Sequence, residues 1–198
     1  MAIRASSVGP NSLTIRRGDC IFITGGNGSG KTTFINLLLT LIPSSGGQVS
    51  VDGVIVTDDN VDAYRSLFAA IFSDNHLFQT LYGTAPFTPE ETRRLLGDME
   101  ILEKVQVVNK RFTTTDLSGG QRKRLALVAA QLEHKPILVM DEWAADQDPA
   151  FREKFYRQIL PALKEQGYTI VAITHDDRYF DAANARFHME DGRLLSLT

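Results

Sequence analysis

Glycines, a lysine and a threonine recur in GGNGSGKT, Gly25 to Thr32, with the spacing G-x-x-x-x-G-K-[ST], and that pattern points to phosphate chemistry. Glycines let the backbone wrap a phosphate with its N–H groups turned inward, and a helix starting there adds its partial positive charge. Gly25, Gly26, Asn27, Gly28, Ser29 and Gly30 are read as the cradle. Lys31 would reach the β- and γ-phosphates, Thr32 would offer a hydroxyl to Mg²⁺, and Thr33 would bond a phosphate oxygen. The flanking apolar run CIFIT and the amphipathic run TTFINLLLTLI supply the strand-loop-helix setting that an ordinary glycine turn lacks.

Two adjacent carboxylates end another apolar run, PILVMDE. Neighbouring strand residues point to opposite sides, so Asp141 is assigned to the metal through water and Glu142 to polarising an attacking water. His175 follows a third apolar run, YTIVAIT, and would contact the γ-phosphate or hold Glu142 and water in line. Further along, SGGQ pairs a helix-capping Ser118 with Gln121 as a capping box. Capping does not need Gly119 and Gly120, each of which weakens a helix by about 1 kcal/mol while opening its start to an anion. A second phosphate contact is the reading.

The elements that must carry these residues form an α/β pattern. CIFIT, PILVM and YTIVAIT are apolar throughout, as strands buried on both faces of a largely parallel sheet must be. SLTI, QVSVDG and VIVT read as a small antiparallel part near the N-terminus, with a turn at Asp52-Gly53. HMEDGRLLSL repeats that pattern and turns at Asp191-Gly192. Between about Asp74 and Thr115 strand signals vanish and helical ones such as TPEETRRLLGDMEILEKV replace them, with Thr88, Pro89 and Glu91 forming a capping box. The chain therefore reads as one domain, 1–198, carrying an inserted helical lobe over 74–117.

Composition bounds the function. The 198 residues are 43% hydrophobic, enough for one buried core, and 21 Lys and Arg against 24 Asp and Glu leave no basic field for nucleic acid. The single cysteine, Cys20, lies in an apolar run, which suits a reducing compartment. No stretch approaches the roughly 18 to 20 apolar residues a membrane-crossing helix needs.

The phosphate loop, LSGGQ at Leu117 to Gln121, the Asp141-Glu142 strand end and His175 occur in an order that resembles the ATP-binding cassette (ABC) family over almost the whole chain. The resemblance implies a P-loop NTPase fold of ABC type and an ATPase that hydrolyses Mg-ATP between two head-to-tail copies. It also implies that Ser118, Gly119, Gly120 and Gln121 act in trans on the partner's nucleotide. DEWAADQDPAFREKFY, IFSDNHLFQTLYG and ITHDDRYF are similar to bacterial exporters of cyclic peptides and peptide siderophores. That similarity makes Asp148 the dimer-contacting acid. It further implies a transmembrane domain, upstream or on a partner, and a place at the cytoplasmic face of the inner membrane.

The chain departs from the family at two points. Ser73 stands where most cassettes carry a metal-touching glutamine, so Ser73, Asp74 or a water must make that contact, or the contact is weakened. No aromatic precedes Phe22 to stack the adenine; a lost stack is worth about 1–3 kcal/mol, roughly 5- to 150-fold in affinity, as if the chain were the excised catalytic half of an exporter. Two alternatives stand beside this reading. A chromosome-maintenance ATPase needs a long coiled coil between Lys31 and Ser118, where no heptads are sustained. A weakly hydrolysing nucleotide-binding module fits Ser73 and the missing aromatic but not Glu142.

Overall fold

A computed structural model describes residues 8–74 and 77–197; Met1 to Ser7, Asn75, His76 and Thr198 lie outside the described residues, and with them part of the aromatic-free N-terminal stretch and of the interval 74–117. In chain order the elements are β1 (Cys20–Thr24), α1 (Lys31–Leu38), β2 (Ser50–Val51), β3 (Val54–Ile55), α2 (Val61–Arg65), β4 (Phe68–Ile71), α3 (Pro89–Asp98), β5 (Val107–Val108), β6 (Arg111–Phe112), α4 (Gly119–Leu132), β7 (Ile137–Asp141), α5 (Pro149–Lys154), α6 (Leu160–Glu165), β8 (Thr169–Ile173), β9 (Ala185–Glu190) and β10 (Arg193–Ser196). Six strands form one sheet in the order β10-β9-β1-β8-β7-β4. All its pairings are parallel except β9 with β10, which turns at Asp191-Gly192.

The apolar strands are buried because helices cover both faces. Along β1, Cys20 and Phe22 join a core with residues of α3, α4, α5 and α6, while Ile21 and Ile23 join a second core with Phe34 and Ile35 of α1 and Tyr64 of α2. Period-two alternation thus sends successive side chains of one strand into two different cores. Parallel strands with right-handed crossovers then deliver every β-to-helix loop to the same sheet edge.

Several local expectations fail for definable reasons. SLTI forms no strand: Asn11 caps the β9–β10 turn instead, accepting from Leu194 N–H (2.6 Å) and donating to the Gly192 carbonyl (3.0 Å). Strands are not absent between Asp74 and Thr115, because β5 and β6 make a hairpin there. Its turn residues Asn109 and Lys110 both hold positive φ, a hairpin geometry usually announced by glycine and here disguised by Asn-Lys. The helix read over TPEETRRLLGDMEILEKV stops at Asp98, after Gly97, and Glu100 turns left-handed at φ 57°. Thr88 does cap that helix, accepting from Glu91 N–H at 3.1 Å, but the Glu91 carboxylate turns to His134 (2.9 Å).

The α5–α6 rod is interrupted by a π turn over Phe155–Ile159. Pro161 in α6 lacks an N–H and its ring would collide with the Arg157 carbonyl, so the preceding turn widens.

Cys20 gives the fold a chemical readout. Burial pushes its thiol up to about 11, so at pH 8 only about one thiol in a thousand is the reactive thiolate, even before access is considered. Labelling by a thiol reagent at pH 8 is expected to proceed at the rate of unfolding and to be immediate in denaturant. Stoichiometric labelling of the folded protein within minutes would show that β1 is not closed in on both sides.

Candidate active site

The loop after β1 is shaped by positive-φ glycines: Gly25 at 142°, Gly28 at 77° and Gly30 at 106°. A Cβ on Gly25 would lie 2.3 Å from the Met189 carbonyl oxygen and 2.8 Å from Ser29 Oγ, so only glycine lets β9 and the loop approach this closely. Lys31 is buried and donates to the carbonyls of Gly25 (2.8 Å) and Gly26 (3.0 Å). Ser29 Oγ is buried without a hydrogen-bond partner among the described residues. A buried hydroxyl left open inside a glycine loop, at the start of α1, is what an anion seated there would satisfy.

Asp141 ends β7 and accepts a hydrogen bond from Thr32 Oγ1 at 3.1 Å. Burial pushes its carboxyl above the ordinary range; the Thr32 hydroxyl pulls it down, the neighbouring Glu142 charge pushes it up, and Lys31 and Lys123 oppose that. A cation beside it would restore the carboxylate. Among the described residues no three His, Cys, Asp or Glu side chains gather into a metal cage. One hydroxyl and one carboxylate, completed by water and phosphate oxygens, nevertheless suit Mg²⁺, which binds few protein ligands.

Glu142 follows in the left-handed region (φ 51°, ψ 36°) and its Oε1 lies 3.2 Å from His175 Nε2. Its N–H donates to the Ile173 carbonyl at 3.1 Å, so the glutamate and the histidine beyond β8 are tied through one strand end. Ser73 is exposed just past β4, whose Ile71 pairs with Met140, and so reaches the same edge as Asp141. Phe22, the first aromatic along the chain, is fully buried in the sheet.

Ser118, Gly119, Gly120 and Gln121 begin α4, with Ser118 Oγ accepting from Gln121 N–H at 3.4 Å. They join the site through the segment 143–148 rather than at the phosphate loop itself. The two glycines are not equivalent. A Cβ on Gly120 would fall 2.7 Å from the Asp146 carbonyl oxygen, whereas one on Gly119 would meet nothing within 4 Å. The Gly120 carbonyl also accepts from Gln147 Nε2 at 3.1 Å. Asp148 caps α5 through Phe151 N–H (2.9 Å) and pairs with Arg124 (2.8 Å); those contacts hold its carboxyl below the usual range.

Sequence reasoning missed the cations of this site. Lys123 and Arg124 are buried, and Arg124 also lies over the Phe151 ring and bonds Gln147 (2.8 Å). Arg152 donates to the carbonyls of Ala144 (3.2 Å), Ala145 (2.9 Å) and Gln147 (3.2 Å) and pairs with Asp176 (3.3 Å). The available signal was QRKR followed within one loop by Asp146 and Asp148.

The family described as ABC transporter matches residues 8–145. The chain is 46% identical over 195 residues to the ATP-binding protein SyrD of Pseudomonas syringae pv. syringae, covering 96% of this chain and 34% of that protein. It is 30% identical over 200 residues to the ATP-dependent lipid A-core flippase of Neisseria meningitidis serogroup B, covering 93% and 31%. It thus spans about a third of the length of these curated relatives. A bacterial Atm1-family ABC exporter with ATP bound shares the fold at a TM-score of 0.79 and 21% identity, over 94% of this chain and 35% of that one. A dimeric post-hydrolysis state of the ATP-binding cassette MJ0796 bound to ADP and Pi does so at 0.72 and 24%, over 92% and 85%.

The inequivalence of the glycines is measurable by urea unfolding. Gly120→Ala is expected to destabilise by about 1–3 kcal/mol through overpacking against Asp146. Gly119→Ala should be neutral or stabilising by up to about 1 kcal/mol, through helix propensity. Equal effects of the two substitutions would contradict the close approach at Gly120.

Proposed function

Because the chain belongs to the ABC transporter family, we propose that it is the ATP-binding and ATP-hydrolysing motor domain of a bacterial exporter. The reaction is attack of water on the γ-phosphate, giving ADP and phosphate. The observation that carries this reading is the pairing at one sheet edge of Thr32 with Asp141 (3.1 Å) and of Glu142 with His175 (3.2 Å), beside a glycine loop.

In this reading the loop Gly25 to Gly30 wraps the phosphates and Ser29 Oγ gains the partner it lacks. Lys31 leaves the Gly25 and Gly26 carbonyls for the β- and γ-phosphate oxygens, and Thr33 adds a hydroxyl from the first turn of α1. Thr32 and, through water, Asp141 would hold Mg²⁺, which would supply charge neutralisation. Ser73 is too short to repeat a glutamine's reach and takes part through an intervening water. Glu142 accepts the proton of the attacking water, and His175 keeps the carboxylate and that water in line.

A second copy completes each site, contributing Ser118, Gly119, Gly120 and Gln121 to the γ-phosphate. Gly119, with open space around its Cα, suits that contact better than Gly120, which is committed to packing on Asp146. Among the described residues no helix is long and apolar enough to cross a membrane. The motor acts on a transmembrane domain, in the same polypeptide or on a partner, and itself works at the cytoplasmic face of the inner membrane, a reading supported by the exporter relatives. The exported molecule is a cyclic peptide or peptide siderophore, a reading supported by the segment DEWAADQDPAFREKFY.

Steady-state phosphate release by the chain and by Glu142→Gln, with size analysis in Mg-ATP, tests the motor reading. The substitution should lower turnover by about 10²- to 10⁴-fold, the usual contribution of a general base, while an ATP-dependent dimer persists. An active chain whose rate ignores Glu142 would sink the catalytic assignment.

A further inference from the structure

Lys123 is a lysine almost wholly withdrawn from solvent, with 7% of its side chain exposed, on the second turn of α4. Its ammonium donates to the backbone carbonyl of Glu142 at 2.8 Å and pairs with the Asp146 carboxylate at 2.8 Å. The backbone carbonyl of the same residue accepts from the Trp143 indole N–H at 2.7 Å. Lys123 therefore grips the chain on both sides of the Glu142–Trp143 peptide bond.

That grip matters because Glu142 is a non-glycine residue in the left-handed region, which a bare chain leaves readily. Its N–H is fixed on the Ile173 carbonyl, and its C=O accepts from Ala145 N–H (3.2 Å) and, at closer range, from Lys123 (2.8 Å). With both ends of the residue held, its Cα–Cβ bond is aimed, and from there the carboxylate meets His175 at 3.2 Å. Arg124 and Arg152 bind farther along the loop, at Ala144 to Asp148. Among the described residues Lys123 is the side chain that reaches the Glu142 carbonyl.

We propose that Lys123 is a positioning residue for Glu142, holding the glutamate in the left-handed geometry from which its carboxylate meets His175. The inference rests on the ATPase reading for its kinetic consequence and on geometry alone for the grip itself. It gives α4 two tasks: its first turn faces the partner's nucleotide in the proposed dimer, and its second turn aims the glutamate of its own site. Burying an ammonium merely to fill space would be wasteful when a methionine fills the same volume without desolvation.

The experiment compares the full chain with Lys123→Met, which keeps the volume and removes the donors, and with Lys123→Arg, which keeps charge and donors. K123M is expected to lower kcat for ATP about 10- to 100-fold, the effect of misplacing a reacting group by about an ångström, with KM within about two-fold. K123R should recover most of that loss. Trp143 is the chain's single tryptophan, so acrylamide quenching of its fluorescence reads the loop without reference to activity. Quenching should rise in K123M and return toward wild type in K123R. Should K123M not fold, Lys123→Gln, which keeps a donor but loses reach, carries the same comparison. Wild-type turnover and wild-type quenching in K123M, or no recovery in K123R, would overturn the proposal. A wild-type chain indifferent to Glu142→Gln would overturn the ATPase reading instead, and quenching would still decide whether Lys123 holds the loop.

Discussion

The site depends on the register of three parallel strand ends around Ile173. In β8, Ile173 stands opposite Ile23 of β1 and opposite Asp141 of β7. The ladder continues past the strands: Thr174 N–H donates to the Ile23 carbonyl and Glu142 N–H to the Ile173 carbonyl, both at 3.1 Å. Phosphate loop, carboxylates and histidine therefore leave the sheet at one level. A slip of a single residue in either pairing would reverse which side chains face the two cores; because these strands are apolar on both faces, the shape of the packing rather than polarity opposes it. The chemistry is placed by apolar residues that take no part in it.

Beyond the strand ends the chain must leave the ladder, and there cations replace it. Lys123, Arg124 and Arg152 hold carbonyls or side chains of Glu142, Ala144, Ala145, Gln147 and Asp148. Ion pairs whose carboxylates stay half exposed, as Asp146 and Asp148 do, contribute little net stability. What they do provide is direction, since each fixed donor accepts only one arrangement of the loop. Trp143, packed 4.4 Å from Phe155 and wholly buried, supplies the apolar part of the same anchorage.

How much of this is legible from sequence divides along physical lines. Strands β1, β7 and β8 are readable because five-residue runs buried on both faces must be apolar throughout. The glycine loop is readable because its backbone geometry restricts residue type. β4 escapes, as FAAI is only four residues long and half alanine, a weak strand former. The β5–β6 hairpin escapes because Asn109-Lys110 adopts a glycine-like turn without glycine. Lys123 and Arg124 escape for a different reason: charge on a helix ordinarily marks a solvated face, and only the acids of a distant loop turn these two inward.

Asp176 shows how a defect in one helix serves the turn that carries His175. Pro161 forces the π turn over Phe155–Ile159, and within that turn Tyr156 directs its hydroxyl to Asp176 (2.9 Å) and to Thr174 (2.7 Å). Asp176 also receives Arg152 (3.3 Å), whose other donors hold the loop after Glu142. Residues on either side of His175 are thus fixed by the α5–α6 rod, while the next residue beyond β7 is fixed by α4. The two members of the Glu142–His175 pair are consequently referenced to different helices. Relative movement of α4 against the α5–α6 rod would change their 3.2 Å separation before it disturbed any strand. Arg124 of α4, paired with Asp148 and lying over Phe151 of α5, ties the two helices together and so guards that separation.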